Sequence, residues 1–506
     1  MSRKPKAESR KPDSGSALDP RFSTLDRLYA LAFGFFLGLC IWKFGNPVIL
    51  DYNITPPNSI SEAWTDFWPT HWANWILLLL AMAGAVLAFR QNFRWGERPR
   101  EPARGDTRPT KKAKWLWLPP LLWLGWQLFS ATQTVDANLT STTLWQFSGC
   151  VACYFLGACL FGSGRALNFL LVGILAAFTF CLVRAVDQRI FEYPQSRQIL
   201  VQGERTGWTN FPPEMLRQMK QDGSVITTNG VVVANPAILA KFSKGRVNGT
   251  LVYPNALAGI ILLLFPVSIA LAFSSTKKLK PPIRFSVIAL ALFLGGVGFF
   301  WTGSKLGWLI AIAIGGLCLF RMDWPTRLKF AVLGLIILTG LGIFAVRFQN
   351  YFAKGATSAV ARFDYWRAAA QTTLANPLAG TGPGTFQRPY AKIREDMAAQ
   401  NPKLELPEMA RLAHNDYLEQ FSDSGIPGGI FYAAWIFLAL ATIARHIWKS
   451  GNQITFAIFA GLLGWFAQGT GEFGLYIPAL AWTAFTLLGG LLALTANQFD
   501  KKSPDI

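Results

Sequence analysis

Long apolar segments alternate with short polar ones along most of this chain. A helix of about 20 apolar residues crosses the roughly 30 Å core of a bilayer. The pattern therefore predicts an all-α integral membrane protein with about twelve transmembrane helices, of which 115–130 and 306–320 are short. The twelve segments lie near 25–43, 72–89, 115–130, 144–161, 167–184, 253–273, 285–302, 306–320, 329–347, 429–447, 453–469 and 477–496.

Two long polar segments, 185–252 and 348–428, interrupt this series. Polar loops of such length are usually functional or disordered. Recurring aromatic residues and helix caps predict an ordered, helical loop at 348–428, between spans nine and ten. The expected organisation is a disordered tail (1–24), spans one to nine with the first long loop (25–347), the catalytic loop (348–428), spans ten to twelve (429–496) and a second tail (497–506).

Charge placement predicts the orientation of these spans. The first 24 residues are polar and do not resemble a cleavable signal, so the first apolar segment is expected to act as a signal anchor. Segment 90–114 is strongly basic and 274–284 contains no acid, whereas 44–71 and 131–143 contain no Lys or Arg. The positive-inside rule places the basic loops and both tails in the cytoplasm. Segments 44–71, 131–143, 185–252 and 348–428 are then periplasmic.

Composition excludes several classes of protein. With 52% hydrophobic residues, 20 Trp and 40 Phe, the chain is too apolar for an ordinary soluble enzyme. The net charge of +20 is scattered between membrane spans, which argues against nucleic-acid binding. Cys150 and Cys153 have a redox or zinc spacing, but they lie in an apolar helix, and we interpret them as buried packing residues.

The first candidate for chemistry runs from the loop 185–252 into the sixth span. Pro254 and Asn255 are typical of a helix start, where unpaired N–H groups favour anions. Arg246 would lie at that edge and could form a forked contact with a phosphate. The alternative for Arg246 is an arginine that extends to the membrane interface.

The second candidate is the tight turn at Ser304 and Lys305. It places a hydroxyl and a cation where the chain re-enters the membrane. An exposed turn with one lysine is the alternative.

The third candidate lies in the loop 348–428. A helix is predicted at 358–375, because Asn376 precedes a proline. Arg362 and Trp366 share one face of it, so the indole could orient the guanidinium. Gly382 and Gly384 follow in a glycine-rich turn that permits close backbone approach to a substrate, although no strand precedes it as a nucleotide-binding fingerprint would require.

The fourth candidate is His414, predicted in the middle of a helix that Pro407 opens and Gly425 closes. Histidine titrates near neutral pH and is a common general base. A structural role is the alternative, and a metal site is not expected because no second histidine stands at ligand spacing.

Together and in this order, these residues resemble the bacterial O-antigen ligase family, whose superfamily also includes O-antigen polymerases and protein O-oligosaccharyltransferases. The resemblance covers roughly 240–490. Lys305 stands where the family more often has arginine. The residues that carry it are Arg246, Gly249, Thr250, Pro254, Asn255, Gly303, Ser304, Lys305, Arg362, Trp366, Asn376, Pro377, Gly380, Gly382, Gly384, Phe386, His414, Asn415, Tyr417, Leu418 and Gly425.

The resemblance implies a GT-C-like fold in the bacterial inner membrane, with the active site on the periplasmic face. It implies a glycan donor on undecaprenyl diphosphate, an acceptor such as lipid A–core or another glycan, and no cofactor or metal. It assigns phosphate binding to Arg246 and Arg362 and the essential histidine to His414. We expect Lys305, Ser304, Asn255, Trp366, Gly382, Gly384, Asn415 and Tyr417 to contribute to substrate binding.

Four functions stay open at this point. A ligase would move a whole glycan onto lipid A–core, whereas a polymerase would join lipid-linked repeat units and a protein O-oligosaccharyltransferase would use a protein acceptor. A polysaccharide transporter is a different class, but transporters usually show internal repeats, which we do not find. The sequence does not specify the glycan, the acceptor, the oligomeric state or the role of 185–252.

Overall fold

The computed structural model of the chain describes residues 23–96, 117–353, 355–400, 409–450 and 452–499. Most of the basic segment 90–114, the two tails and Pro407 lie outside these residues. The helices of the described part are α1 (Thr24–Lys43), α2 (Ile60–Thr65), α3 (Thr70–Gly96), α4 (Leu118–Ala131), α5 (Ala137–Leu160), α6 (Gly164–Asp187), α7 (Tyr193–Thr206), α8 (Pro213–Gln221), α9 (Pro236–Lys244), α10 (Pro254–Ser275), α11 (Pro281–Thr302), α12 (Lys305–Phe320), α13 (Thr326–Ala353), α14 (Thr357–Ala375), α15 (Gln387–Gln400), α16 (Asp416–Ser450), α17 (Gln453–Gln468) and α18 (Pro478–Phe499).

The helices confirm a multi-pass, largely helical membrane protein. Within the described residues, nine helices are long and apolar enough to cross a bilayer, and α12 and α17 are shorter apolar helices. All twelve predicted segments fall on helices, although α4 contains only 14 residues. The exact number of spans therefore stays a prediction.

Close helix packing holds the membrane core together. A Cβ atom added to Gly34 of α1 would overlap the backbone at Leu170 of α6, and one added to Gly173 would overlap the backbone of Gly34. Small residues allow membrane helices to approach until their backbones touch. This close packing stabilises the helix pair, because lipid provides no hydrophobic driving force between helices. The same core encloses large aromatic side chains, among them Trp123, Trp435 and Trp482.

The segment predicted as the loop 185–252 departs from a purely helical fold. Helix α6 continues through a π-helical turn (Gln188–Glu192) directly into α7. Strands β1 (Val225–Thr228) and β2 (Val231–Ala234) then form an antiparallel hairpin. Its turn consists of Asn229 and Gly230, both at positive φ, which is a strong sequence signal for a hairpin. This short hairpin is an addition to a chain whose described residues otherwise form helices and connecting segments, as an all-α class allows.

The glycine-rich turn that follows α14 packs against the kink near the start of α16. Helix α14 ends at Ala375, before Asn376 and Pro377, as predicted. The backbone N–H of Gly384 donates to Asp423 at 2.7 Å, and that of Ile426 donates to the carbonyl of Pro377 at 2.8 Å. At this level α16 is kinked, because Ser424 and Gly425 have non-helical backbone angles. Gly425 thus interrupts the helix where the sequence indicated, and α16 continues beyond it.

One end of the molecule brings together segments that are distant in the chain. Helices α10, α12 and α16 begin there, α11 ends there, and the turn between α17 and α18 lies among them. The N–H of Asp416 at the start of α16 donates to the carbonyls of Gly469 and Glu472 in that turn, at 2.8 and 3.2 Å. These two hydrogen bonds fix the turn between α17 and α18 against the start of α16. The residues of the candidate site surround this turn.

Candidate active site

Arg246 and Asn255 meet at the start of α10, as the sequence predicted. Pro254 is the first residue of α10 and Asn255 follows it. The guanidinium of Arg246 donates from Nε to the carbonyl of Thr302 at 2.7 Å and from Nη2 to Asn255 Oδ1 at 2.8 Å. Burial lowers the pKa of Arg246, while the nearby carboxylate of Glu472 acts in the opposite direction. The side chain is thereby fixed at the end of α11 and the start of α10.

Glu472, in the turn between α17 and α18, is the common partner of this group. Its Oε1 accepts a 2.7 Å hydrogen bond from Asn255 Nδ2 and forms an ion pair with Nη2 of Arg362. Its Oε2 lies 3.5 Å from Nδ1 of His414. The carboxylate side chain is only 10% exposed. A single buried carboxylate therefore links the predicted arginines to the predicted histidine.

Arg362 reaches this carboxylate from α14. Its side chain is 21% exposed, which leaves it accessible from one side. Trp366 lies one turn further along α14, edge-on to Phe363 with the ring centroids 5.4 Å apart. Among the described residues, the indole Nε1 of Trp366 has no hydrogen-bond partner. The structure thus orients Arg362 through Glu472, and the expected steering of the guanidinium by Trp366 stays a prediction.

His414 precedes α16 and is not in a helix, which corrects the expectation of a mid-helix position. It adopts a left-handed conformation with φ +52°. Asn415 is the physical reason, since its Oδ1 accepts from the N–H groups of Tyr417 and Leu418 at 3.1 and 3.0 Å. Such a side chain caps a helix start, so α16 begins after Asn415.

The imidazole of His414 is held between two aromatic rings. It stacks on Tyr365 of α14 with centroids 5.9 Å apart and meets the edge of Phe473 at 4.7 Å. At 3.5 Å from Glu472, Nδ1 is too distant for a good hydrogen bond, yet it faces the carboxylate. The side chain is 31% exposed. Catalytic hydrogen bonds are often long without substrate, so this geometry suits a base that tightens on binding.

Lys305 adds a third cation to the same region. Its Nζ lies 3.8 Å from the ring centroid of Tyr351, and it is close enough to Arg246, Arg362 and Glu472 for all three charges to act on it. The neighbouring Ser304 is buried and caps α12, accepting from the N–H of Gly307 at 3.3 Å. The structure places Lys305 toward the site, whereas Ser304 serves the helix start.

A small cavity of about 120 Å³ lies within this group of side chains. Its lining includes Arg246, Asn255, His414 and Glu472, together with Tyr253. Burial also raises the pKa of Tyr253, which keeps its phenol uncharged. We call Arg246, Lys305, Arg362, His414 and Glu472 the cationic site. It carries three fixed positive charges against one carboxylate, an arrangement that suits an anionic ligand with more than one charge.

Three other predicted binding residues, Gly382, Gly384 and Tyr417, make contacts with other parts of the protein. Gly382 and Gly384 are so close to Thr134 and Thr143 that an added Cβ would overlap these side chains. Tyr417 donates its hydroxyl to the carbonyl of Phe466 at 3.1 Å. These contacts are with the protein itself, so a part for these residues in substrate binding stays a prediction.

Sequence reasoning missed Glu472, although a signal was present. It is the only charged residue between 450 and 499, in a stretch that otherwise forms membrane helices. An ionisable residue within membrane segments is expensive to bury and is a functional candidate by default. What the sequence does not reveal is its partner, since Arg362 lies 110 positions away.

Comparison with known families gives a match over part of the chain. Residues 288–433 match the family model described as O-antigen ligase. The matched segment contains Lys305, Arg362 and His414, whereas Arg246 and Glu472 lie on either side of it. No curated protein matches the chain significantly. At residues 288–433 the chain is therefore similar to the O-antigen ligase family.

Proposed function

We propose that this protein transfers a glycan from undecaprenyl diphosphate to an acceptor hydroxyl on the periplasmic face of the inner membrane. The acceptor that the family match favours is lipid A–core, which makes the reaction O-antigen ligation. The observation that carries the proposal is the cationic site. Three cations and a histidine from four separate segments converge at one end of the helices, around a single carboxylate.

The cations suit the leaving group of such a transfer. As the bond between the anomeric carbon and the diphosphate oxygen breaks, the electron pair and its negative charge move to the diphosphate. Fixed positive groups that face this growing charge stabilise the transition state more than the ground state. Arg246 and Arg362 have planar guanidinium groups that match phosphate oxygens, whereas Lys305 contributes a point charge.

His414 suits the role of general base. The acceptor hydroxyl forms the new bond to the anomeric carbon and must lose its proton, which the imidazole accepts. With Nδ1 turned to Glu472, Nε2 is the nitrogen available to the acceptor. A partner on one ring nitrogen sets the tautomer of the other. Direct displacement of this kind inverts the configuration at the anomeric centre. In this proposal, the positive charges that stabilise the leaving diphosphate are all on side chains of the protein.

Glu472 has two parts in this scheme. Without donor, it neutralises Arg362 and, through Asn255, holds Arg246 in place. A donor diphosphate would compete with it for Arg362. The carboxylate would then be free to pair with His414 as the imidazole gains its proton. Glu472 is thus a positioning residue that links donor binding to the base.

A polymerase that joins two lipid-linked repeat units is the alternative, because the same site would serve it. A protein O-oligosaccharyltransferase would also use the same donor chemistry. The family match favours glycan transfer over a polysaccharide transporter. The remaining possibilities differ only in the acceptor, which surface-glycan analysis identifies directly.

Deletion of the gene tests ligation against polymerisation. For a ligase, the deletion strain loses all long glycan chains on lipid A–core while lipid-linked polymer accumulates. Chemical analysis of the surface glycans and of the extracted carrier lipid measures both. A core that still carries a single repeat unit would identify a polymerase instead. An unchanged core with an altered glycoprotein would identify a protein acceptor.

Replacement of Arg362 tests phosphate recognition. Arg362→Ala is expected to abolish transfer, and Arg362→Lys to remain poor, because one ammonium group cannot reproduce the planar fork. Transfer in membranes containing equal amounts of inserted protein gives the measurement. Arg367→Lys, an exposed position on the same helix, is the matched control. Near-normal transfer by Arg362→Lys would contradict two-point binding at this residue.

His414→Ala and His414→Gln test the base. Both variants are expected to lose transfer by about 10²–10⁴-fold, the usual cost of a lost general base, while the arginines still bind the donor lipid. His71→Gln, at an exposed histidine, serves as control. Normal transfer by His414→Gln, or joint loss of binding and transfer, would make His414 a structural residue.

Glu472→Gln tests the link between donor binding and the base. It keeps the shape of the side chain and removes its charge, so donor affinity should stay equal or increase. The turnover rate should fall tenfold or more, which corresponds to about 1.4 kcal/mol in activation free energy. Kd for the donor and kcat are measured separately, with Glu214→Gln on the exposed face of α8 as control. Weaker donor binding at an unchanged kcat would contradict this role.

A further inference from the structure

A second and much larger cavity lies along the same helices and extends to their opposite end. It has a volume of about 1030 Å³ and is bounded by α10, α11, α12 and α17. Its walls are largely apolar, with Phe265, Phe273 and Phe299 among them. This volume is at the upper end of the range for small-molecule sites, about 300–1,000 Å³, and suits hydrocarbon chains.

The sequence explains why there is space at this point. Pro266 interrupts the hydrogen bonding of α10 where it borders the cavity. On the facing helices, the lining includes Gly296 of α11 and Gly315 of α12. A Cβ atom added to either glycine would meet no other atom within 4 Å. The absence of side chains at these positions leaves the cavity open.

Basic residues from three different places in the chain line the end of this cavity that is farthest from the cationic site. Lys277 follows α10, Arg284 lies in the first turn of α11, and Arg321 follows α12. Asp323 is the acid that faces them within the lining. The Nε atom of Arg284 is buried and has no hydrogen-bond partner among the described residues. The cavity therefore combines apolar walls with an excess of positive charge at one end.

We propose that this cavity binds an anionic phospholipid, with its acyl chains between the helices and its phosphate at Lys277, Arg284 and Arg321. Basic pockets between membrane helices are suited to acidic head groups. The proposal goes beyond glycan transfer and does not depend on it. In this proposal, the lipid bound at the far end of α10, α11 and α12 is not a substrate.

The distance between the two ends argues against the glycan donor as the occupant. Helix α10 has 22 residues and is about 33 Å long at 1.5 Å per residue, which is close to the thickness of a bilayer core. Its first residues contact Arg246, and Lys277 lies just beyond its last. A donor with its diphosphate at Arg246 has no second anionic group to meet the cations at the far end.

Lipid retention by the purified, full-length protein tests the proposal. Native mass spectrometry compares phosphatidylglycerol with phosphatidylcholine of the same acyl chains, each added to delipidated protein. The unsubstituted protein should retain phosphatidylglycerol preferentially. The double variant Lys277→Gln, Arg284→Gln should bind phosphatidylglycerol about fivefold more weakly for each cation removed. This factor is the equivalent of about 1 kcal/mol per basic residue near a membrane surface. Lys278→Gln with Lys280→Gln is the matched control, since it removes the same charge from the same connection.

A second pair of variants tests the cavity itself. Gly315→Phe fills it and should abolish retention of either lipid, whereas Gly334→Phe, on α13 where an added Cβ also meets open space, should not. Equal retention of both lipids by the unsubstituted protein, or a preference that survives the loss of Lys277 and Arg284, overturns the proposal. Displacement of phosphatidylglycerol by undecaprenyl phosphate would assign the cavity to the donor and overturn it as well. These measurements do not involve transfer, so their failure leaves the proposed function untouched.

Discussion

The carboxylate of Glu472 is the interaction on which the site depends. It accepts from Asn255, pairs with Arg362 and faces His414, so it connects α10, α14 and the start of α16. Cations this close together repel one another unless an anion lies between them. Loss of Glu472 would leave Arg362 without its ion-pair partner, and a partly buried charge without a partner is unfavourable. The arrangement around Glu472 is therefore held together electrostatically before any donor arrives.

The position of Glu472 depends in turn on the start of α16. The Asp416 carboxylate accepts from the N–H of Leu475 at 3.2–3.3 Å, and the N–H of Asp416 donates to the carbonyl of Glu472. These bonds fix the turn before α18 to the first residue of α16. His414, two residues earlier, keeps a left-handed backbone that costs roughly 1–2 kcal/mol for a residue other than glycine. Such strain persists where surrounding contacts over-determine it, often at functional sites.

The two ends of α10, α11 and α12 are chemically different, although both attract anions. At one end, the buried guanidinium of Arg246 is fixed by the carbonyl of Thr302 and by Asn255. At the other, Lys277, Arg284 and Arg321 line an apolar cavity. Fixed, hydrogen-bonded cations suit a reacting diphosphate, whereas half-exposed cations beside hydrocarbon walls suit a head group. Under the two proposals, one set of helices has a reaction site at one end and a lipid site at the other.

The sequence by itself determined the helices and indicated most of the candidate site. Hydropathy located the apolar helices, Pro254 marked the start of α10, and Asn376 with Pro377 marked the end of α14, because these features act over a few residues. It also indicated Arg246, Arg362, Lys305 and His414. Two local features were misjudged. The helix predicted between Pro407 and Gly425 was expected to include His414, whereas the Asn415 cap starts α16 after it. The hairpin signal of Asn229 and Gly230 was overlooked. Only the tertiary structure decided that Glu472 joins the cations and that Gly382 and Gly384 pack against threonines, because contacts between segments about a hundred or more residues apart leave no local periodicity to detect.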